Sequence, residues 1–385
     1  VANFQVPSSQ GHYDYTALER VMWGLPAAQA IAETADRLDK NRVFVLAARS
    51  LSRTTNVVEG ILSALGPRFA GLFDACKEHS PFDSIVEAAA AAREADPDLI
   101  VSVGGGSVVD AGKVVLVCLR ENLFTVDALI ERTRETETPS ELRQIAVPTT
   151  LSGAEFTNIA GGTNPRTRTK SMIAGKNLCP HTVILDPATC LHTPERLWFA
   201  TAIRSVDHAA EGYCAKATNP LIQAQALRAL QLFSTSLRAT KLDPADLEAR
   251  LQSQHAVWLA TASLGRVSMG ASHGLGYLLG TLGGVPHGET SCVFLPSVLK
   301  WNAPETAQAQ KDIAQALGAP GLSASDAIGR LLDDLGLPRR LRDVGANRDL
   351  VDKIADHALS HPVVLANPRP ITCREDVMEI LEMAW

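Results

Sequence analysis

The sequence contains no uninterrupted apolar stretch of about eighteen residues, so nothing in it is expected to span a bilayer. It has no block of five or more like charges, and its net charge is −6 at pH 7. Nucleic acids and anionic membranes are therefore not expected partners. A disulfide framework is missing too. The seven cysteines (Cys76, Cys118, Cys179, Cys190, Cys214, Cys292 and Cys373) are odd in number, irregularly spaced and free of any C-x-x-C pair. That usage fits reduced, mostly buried thiols in a cytoplasmic protein. The opening VANFQVPSSQGHYDY lacks both a basic and an apolar segment, so no secretory signal is expected. No internal repeat or low-complexity linker interrupts the chain.

What is present is a globular composition, 46% hydrophobic and 20% charged over 385 residues. A chain of this length buries about three quarters of its unfolded surface and needs no disulfides to hold a core. The first half alternates apolar strand-like runs with helix formers. RVFVLAA (42–48), DLIVSVGGGS (98–107), QIAVPTT (144–150) and HTVILDP (181–187) read as strands. SIVEAAAAAREAD (84–96) and SVVDAGKVVLVCL (107–119) read as helices. Such alternation predicts a parallel sheet covered on both faces. Asn164-Pro165 marks a turn in a short β excursion. From about residue 188 the spacing becomes helical almost throughout. The reading is thus an α/β domain over 1–187 and an all-helical domain over 188–385, with a ligand cleft expected where two such halves meet.

The strongest local signal is VSVGGGSVVDAGK (101–113), a strand running through Gly104, Gly105, Gly106 and Ser107 into a helix. Residues without a Cβ let backbone approach a phosphate, and the helix start offers free N–H groups and a positive dipole end. Ser107 adds a hydroxyl, as a donor or as a helix cap. The segment is neither G-x-G-x-x-G nor a loop ending in GK[ST], and taken alone it is also compatible with a simple tight turn.

Several motifs occur in a fixed order, and together the chain resembles the iron-containing (group III) alcohol dehydrogenase superfamily. GGGSVVDAGK is similar to its GGGSxxDxxK loop, and PTTLSGAEFT (148–157) to its PTTxGTGSE segment, nearer the form found in maleylacetate reductases. SVDHAAEGY (205–213), SHGLGYLLG (272–280), VPHGE (285–289) and NPRP (367–370) follow in family order. The resemblance implies a dehydroquinate synthase-like architecture, a homodimer, and hydride transfer with NAD(P)H on a small, anionic substrate. It assigns the pyrophosphate to Gly104, Gly105, Gly106 and Ser107, and the nicotinamide ribose to Thr149, Thr150 and Ser152. Asp110 and Lys113 fall on the helix after the loop, where Lys113 is either a ribose contact or a solvated residue. Where NAD-preferring members carry an acid at the end of the strand matching RVFVLAA, this chain has Ala48 and then Arg49. NADPH is then not repelled, and Arg49 is placed to pair with a 2′-phosphate.

Metal-dependent members hold their ion with one aspartate and three histidines, the Asp four residues before the first His. His208, His273 and His287 match the histidines, but the residue four before His208 is Arg204. Asp207 is set about 100° around the helix from His208 and is not a simple substitute. Tyr277 stands where a further histidine is common. A guanidinium beside a divalent ion removes the compensation a carboxylate supplies, whereas it suits a substrate carboxylate. The reading is a histidine cluster (His208, His273, His287) with Tyr277 and Arg204, working without a metal on an oxo acid, activated carbonyl or enone. Three rivals accompany it: a metal-dependent alcohol dehydrogenase using the same three histidines, a non-redox lyase, cyclase or isomerase, and a structural or binding role after loss of catalysis. Arg204 paired to Glu211, seven residues on, is the plainer structural alternative.

Overall fold

The computed structural model describes residues 12–132, 141–167 and 170–385. Its contacts divide the chain into two units, Tyr15–Thr193 and the remainder.

In the first unit, six strands form one parallel sheet: β1 (Arg20–Trp23), β2 (Val43–Ala47), β3 (Phe69–Phe73), β4 (Leu99–Gly104), β5 (Arg143–Pro148) and β8 (Thr182–Leu185). Their spatial order is β1-β8-β5-β4-β2-β3. Alternation within β2 shows how both faces are covered. Phe44 and Leu46 join one core with α4 (Phe82–Ala95) and α5 (Gly106–Glu121). Val43, Val45 and Ala47 join another with α1 (Ala27–Arg37) and α3 (Val57–Leu65), α2 (Arg49–Thr54) lying between. A short α6 (Val126–Glu131) completes the unit's helices. The excursion after β5 is an antiparallel hairpin of β6 (Ile159–Thr163) and β7 (Lys170–Ala174). Asn164 starts its turn, accepting the Arg166 N–H at 2.9 Å.

Strand order locates the ligand rim. From β2 the chain moves outward to β3, while from β4 it moves the opposite way to β5. The carboxyl ends of β2 and β4 therefore flank a topological switch point, where open α/β sheets bind ligands. The glycine loop leaves β4 there, and Ala48-Arg49 leaves β2 beside it.

The second unit is helical: α7 (Glu195–Cys214), α8 (Pro220–Leu242), α9 (Leu247–Ala260), α10 (Ala271–Gly283), α11 (His287–Ala316), α12 (Ala324–Leu335), α13 (Arg348–Ala358), α14 (Pro362–Leu365) and α15 (Arg374–Met383). One core joins Leu275 and Leu279 of α10 to Val293, Phe294 and Val298 of α11, Ile354 of α13 and Val377 of α15. The division falls at 193/194, not 187, because the segment after β8 stays bound to the sheet: Thr193 Oγ1 donates to Thr149 O at 2.6 Å. Tyr13 belongs with the helices, donating to Ala262 O at 3.1 Å.

Candidate active site

At the glycine loop, close packing dictates residue type. A Cβ on Gly104 would lie 2.8 Å from Val108 Cγ2, and one on Gly106 would lie 2.6 Å from Ser152 Oγ. On Gly105 it would press on Thr150 Cγ2 at 3.0 Å. The structure thus sets Gly104–Gly106 directly against Thr149, Thr150 and Ser152, with Thr149 N–H bonded to Gly104 O at 3.0 Å. Gly105 begins α5 with no side chain capping it, so the helix presents its first turn bare, as an anion cradle requires. Ser107 is not the cap; its Oγ accepts the His79 N–H at 3.1 Å.

Two expectations change here. Lys113 is neither solvated nor a ribose contact: it is fully buried, with its ammonium on the oxygens of Ala154, Thr157 and Ile159. Asp110 faces the hairpin and accepts the Gly161 N–H at 3.1 Å. Arg49, by contrast, is exposed as the first residue of α2. The neighbouring carboxylate, Asp74, is held low by Arg53 and bonds Ser52 and Arg53, not Arg49.

In the helical unit, Arg204, Asp207, His208 and Glu211 share one face of α7 by their helical spacing, and all are buried. Glu211 bonds the start of α10, taking the N–H groups of Gly270 and Ser272 at 2.8 Å each and of His273 at 3.3 Å. That capping carboxylate also holds His273 Nδ1 at 2.8 Å. Its approach needs glycine at 270, where a Cβ would sit 2.7 Å from Glu211 Oε1. Asn367 of the NPRP segment, fully buried, completes the bracket by accepting the Ala271 N–H at 3.0 Å.

Arg204 is not the partner of Glu211. Its NH1 donates to Ser291 Oγ at 3.0 Å and lies 3.8 Å from Asp207, while Ser291 and Ser272 each donate to Asp207 Oδ2 at 2.7 Å. Asp207, set aside on helical geometry, is therefore inside the cluster, 3.5 Å from His273 Nδ1. Burial alone would raise its carboxyl, but His273, Arg204 and Ser291 together hold it below its usual value.

Around these ions stand the rings. His208 and His273 lie 5.1 Å apart between centroids, and Tyr277 meets His287 edge-on at 5.8 Å. The Arg204 guanidinium sits 5.3 Å over the Tyr277 ring. Burial, reinforced by the charges of His273 and Arg204, pushes His208 well below its ordinary value, so it stays neutral. Burial and Arg204 oppose protonation of His273 too, yet Asp207 and Glu211 outweigh them and its net shift is upward.

Comparison with known proteins decides the family. A model of iron-containing alcohol dehydrogenases matches residues 19–187, and one of the C-terminal part of the Fe-containing alcohol dehydrogenase family matches 199–385. The chain is 34% identical to "Dehydrogenase ALT3" of Alternaria alternata, over 89% of this chain and 98% of that one. It is 32% identical to a maleylacetate reductase of Burkholderia cepacia, over 96% of each. The crystal structure of a maleylacetate reductase from Agrobacterium tumefaciens superposes with a TM-score of 0.84, at 27% identity and 98% coverage of both chains. The chain belongs to the iron-containing alcohol dehydrogenase family. It is an oxidoreductase, close to the maleylacetate reductase-like members.

Does this member of the family fit the family's ion? Among the described residues, His208 Nδ1 and His273 Nε2 are buried without hydrogen-bond partners, as imidazole ligands would be. The carboxylates do not fit. Asp207, Glu211 and His273 bring donor atoms within 4.8 Å of one another, but Glu211 holds the α10 N-terminus and Asp207 accepts two hydroxyls with Arg204 beside it. A divalent ion placed there would break helix-capping bonds next to a permanent positive charge.

One site residue escaped the sequence. His361, just before α14, stacks on Tyr277 at 5.8 Å and 28°, with Nδ1 buried and unpartnered among the described residues. Its place follows from Gly274, where a Cβ would lie 2.5 Å from Val364 Cγ2, so α14 packs directly on α10. No motif announces a histidine brought in by backbone-to-backbone contact.

Proposed function

We propose that the protein is a metal-independent NAD(P)H-dependent reductase of an oxo acid or activated carbonyl or enone, of the maleylacetate reductase kind. The observation that carries this reading is Arg204. It is buried, and among the described residues its hydrogen bond to Ser291 and its longer ion pair to Asp207 leave most of its five donors for a ligand.

The α/β unit holds the dinucleotide: Gly104–Gly106 and the bare start of α5 receive the pyrophosphate, and Thr149, Thr150 and Ser152 wall the loop. A reduced nicotinamide held there would supply hydride chemistry to an electrophilic carbon. Arg204 grips the substrate carboxylate or its carbonyl oxygen and stabilises the negative charge that develops. His273, with its upward shift and its Nδ1–H fixed on Glu211, turns Nε2 to the reaction as proton donor. With hydride from the cofactor, this proton on the substrate anion would complete a balanced two-electron reduction. His287 and Tyr277 order the donor side; neutral His208 packs against the donor ring. Ala48 and Arg49 leave the β2 rim without a free carboxylate, which favours acceptance of NADPH alongside NADH.

A panel of oxo acids, enones and simple alcohols and aldehydes, followed at 340 nm with NADH and NADPH, tests the assignment. Oxidation of either cofactor by an oxo acid such as maleylacetate is expected. Turnover of a substrate with no net change at 340 nm would replace the reading with a non-redox one.

A further inference from the structure

Beneath the glycine loop lies a buried cation that the chemistry above does not use. Lys113 is completely buried, and the nearest carboxylate, Asp110, stands 3.9 Å away. Its Nζ instead donates to Ala154 O (2.6 Å), Ile159 O (2.8 Å), Thr157 O (2.9 Å) and Thr157 Oγ1 (3.1 Å). An ammonium has three protons, so these four oxygens share all of them and none remains for a ligand. The Thr157 hydroxyl in turn reaches Ala154 O and Ile159 O, both at 3.1 Å. One helical turn earlier, Asp110 holds the Gly161 N–H. The strip from Ala154 to Gly161 is thus bound to α5 at two levels.

Burying an ammonium on neutral oxygens, with its carboxylate 3.9 Å away, is costly, and burial accordingly lowers the proton affinity of Lys113. An aliphatic side chain would fill the space but leave the carbonyls of Ala154, Thr157 and Ile159 without this donor. What the clamp adds is register. The strip continues straight from Thr150 and Ser152, the wall against Gly105 and Gly106, and Ala154 Cβ itself would lie 3.5 Å from a Cβ on Gly106.

We infer that Lys113 is a positioning residue for the dinucleotide: its four-oxygen clamp sets the spacing between the Gly104–Gly106 loop and the Thr150–Ser152 wall without touching the cofactor. The inference rests on the reading of the α/β unit as the cofactor module. A supporting residue of this kind acts through sub-ångström placement, and displacement of about 1 Å costs large factors in function.

The test is a fluorescence titration of NADH and NADPH into the whole protein, its variants Lys113→Met and Thr157→Val, and a control. Leu65→Ala serves as control, because Leu65 is buried in the other core of the sheet, away from α5. Lys113→Met is expected to raise the dissociation constant at least about tenfold and Thr157→Val about two- to fivefold. Leu65→Ala should leave it within about twofold despite a comparable loss in Tm. Should Lys113→Met not fold, Thr157→Val against the control carries the comparison. A folded Lys113→Met (or, failing that, Thr157→Val) binding with the unaltered constant would overturn the inference alone. Failure of the unaltered protein to bind either dinucleotide would overturn it together with the cofactor reading.

Discussion

The proposed chemistry turns on Arg204. Its guanidinium is tethered by Ser291, and the nearest Asp207 oxygen is 3.8 Å away, so it is buried without a close ion pair. Arg204→Met keeps the length and removes the donors, and kcat/KM for an oxo acid should fall about 10- to 100-fold, as loss of charge-assisted hydrogen bonds implies. Cofactor affinity, measured by titration, should not follow. His273→Ala should lower kcat about 100-fold or more by removing a proton donor, again without weakening cofactor binding. Unchanged turnover would remove His273 from that role. Glu155 offers a separate prediction about stability. It is buried, and burial pushes its carboxyl from 4.5 up to about 7. Its folded form therefore holds more protons than the unfolded chain between those values, and stability falls as pH rises through that window and levels above it. The full effect is about 3 kcal/mol at most. Glu155→Gln should be more stable than the unaltered protein by about 1–3 kcal/mol at pH 8 and show no gain at pH 4, measured by chemical denaturation.

Among the elements, α10 shows how a site is built from backbone. Its N-terminus is held by two side chains far apart in sequence, Glu211 and Asn367, which converge on Gly270 and Ala271. Gly270→Ala puts a Cβ into both partners, at 2.7 and 2.8 Å, and should cost about 1–3 kcal/mol in thermal denaturation while displacing His273 from Glu211. The elements also show what could be read beforehand. Buried central strands β2, β4, β5 and β8 announce themselves as continuous apolar runs. The two that were not read, β1 and β3, are the sheet's edges. Each is short and incompletely buried, and β3 carries Gly71. Edge strands need no uninterrupted apolar pattern, so local sequence hides them. The same limit explains Lys113 and His361: both are placed by contacts between distant segments, not by their neighbours in the chain.

For the molecule as a whole, ordered motifs carried more information than any one segment. GGGS, PTTLSGAEF, the histidine positions and NPRP fixed the family, and the fold follows from membership. Arg204 was also visible in the sequence, but its partner was not. Helical spacing places Asp207 and Glu211 on the Arg204 face equally well, and only the α10 N-terminus, claiming Glu211, leaves Asp207 for the guanidinium. No helix among the described residues is long and apolar enough to cross a membrane. Under the proposed function, fixed side-chain charges replace the ion for which the family is named. Turnover of an accepted oxo acid by enzyme dialysed against EDTA, then supplemented with Zn²⁺ or Fe²⁺, tests this most directly. Full activity after chelation, with no gain from either ion, is predicted; activity abolished by the chelator and restored by a stoichiometric ion would contradict it.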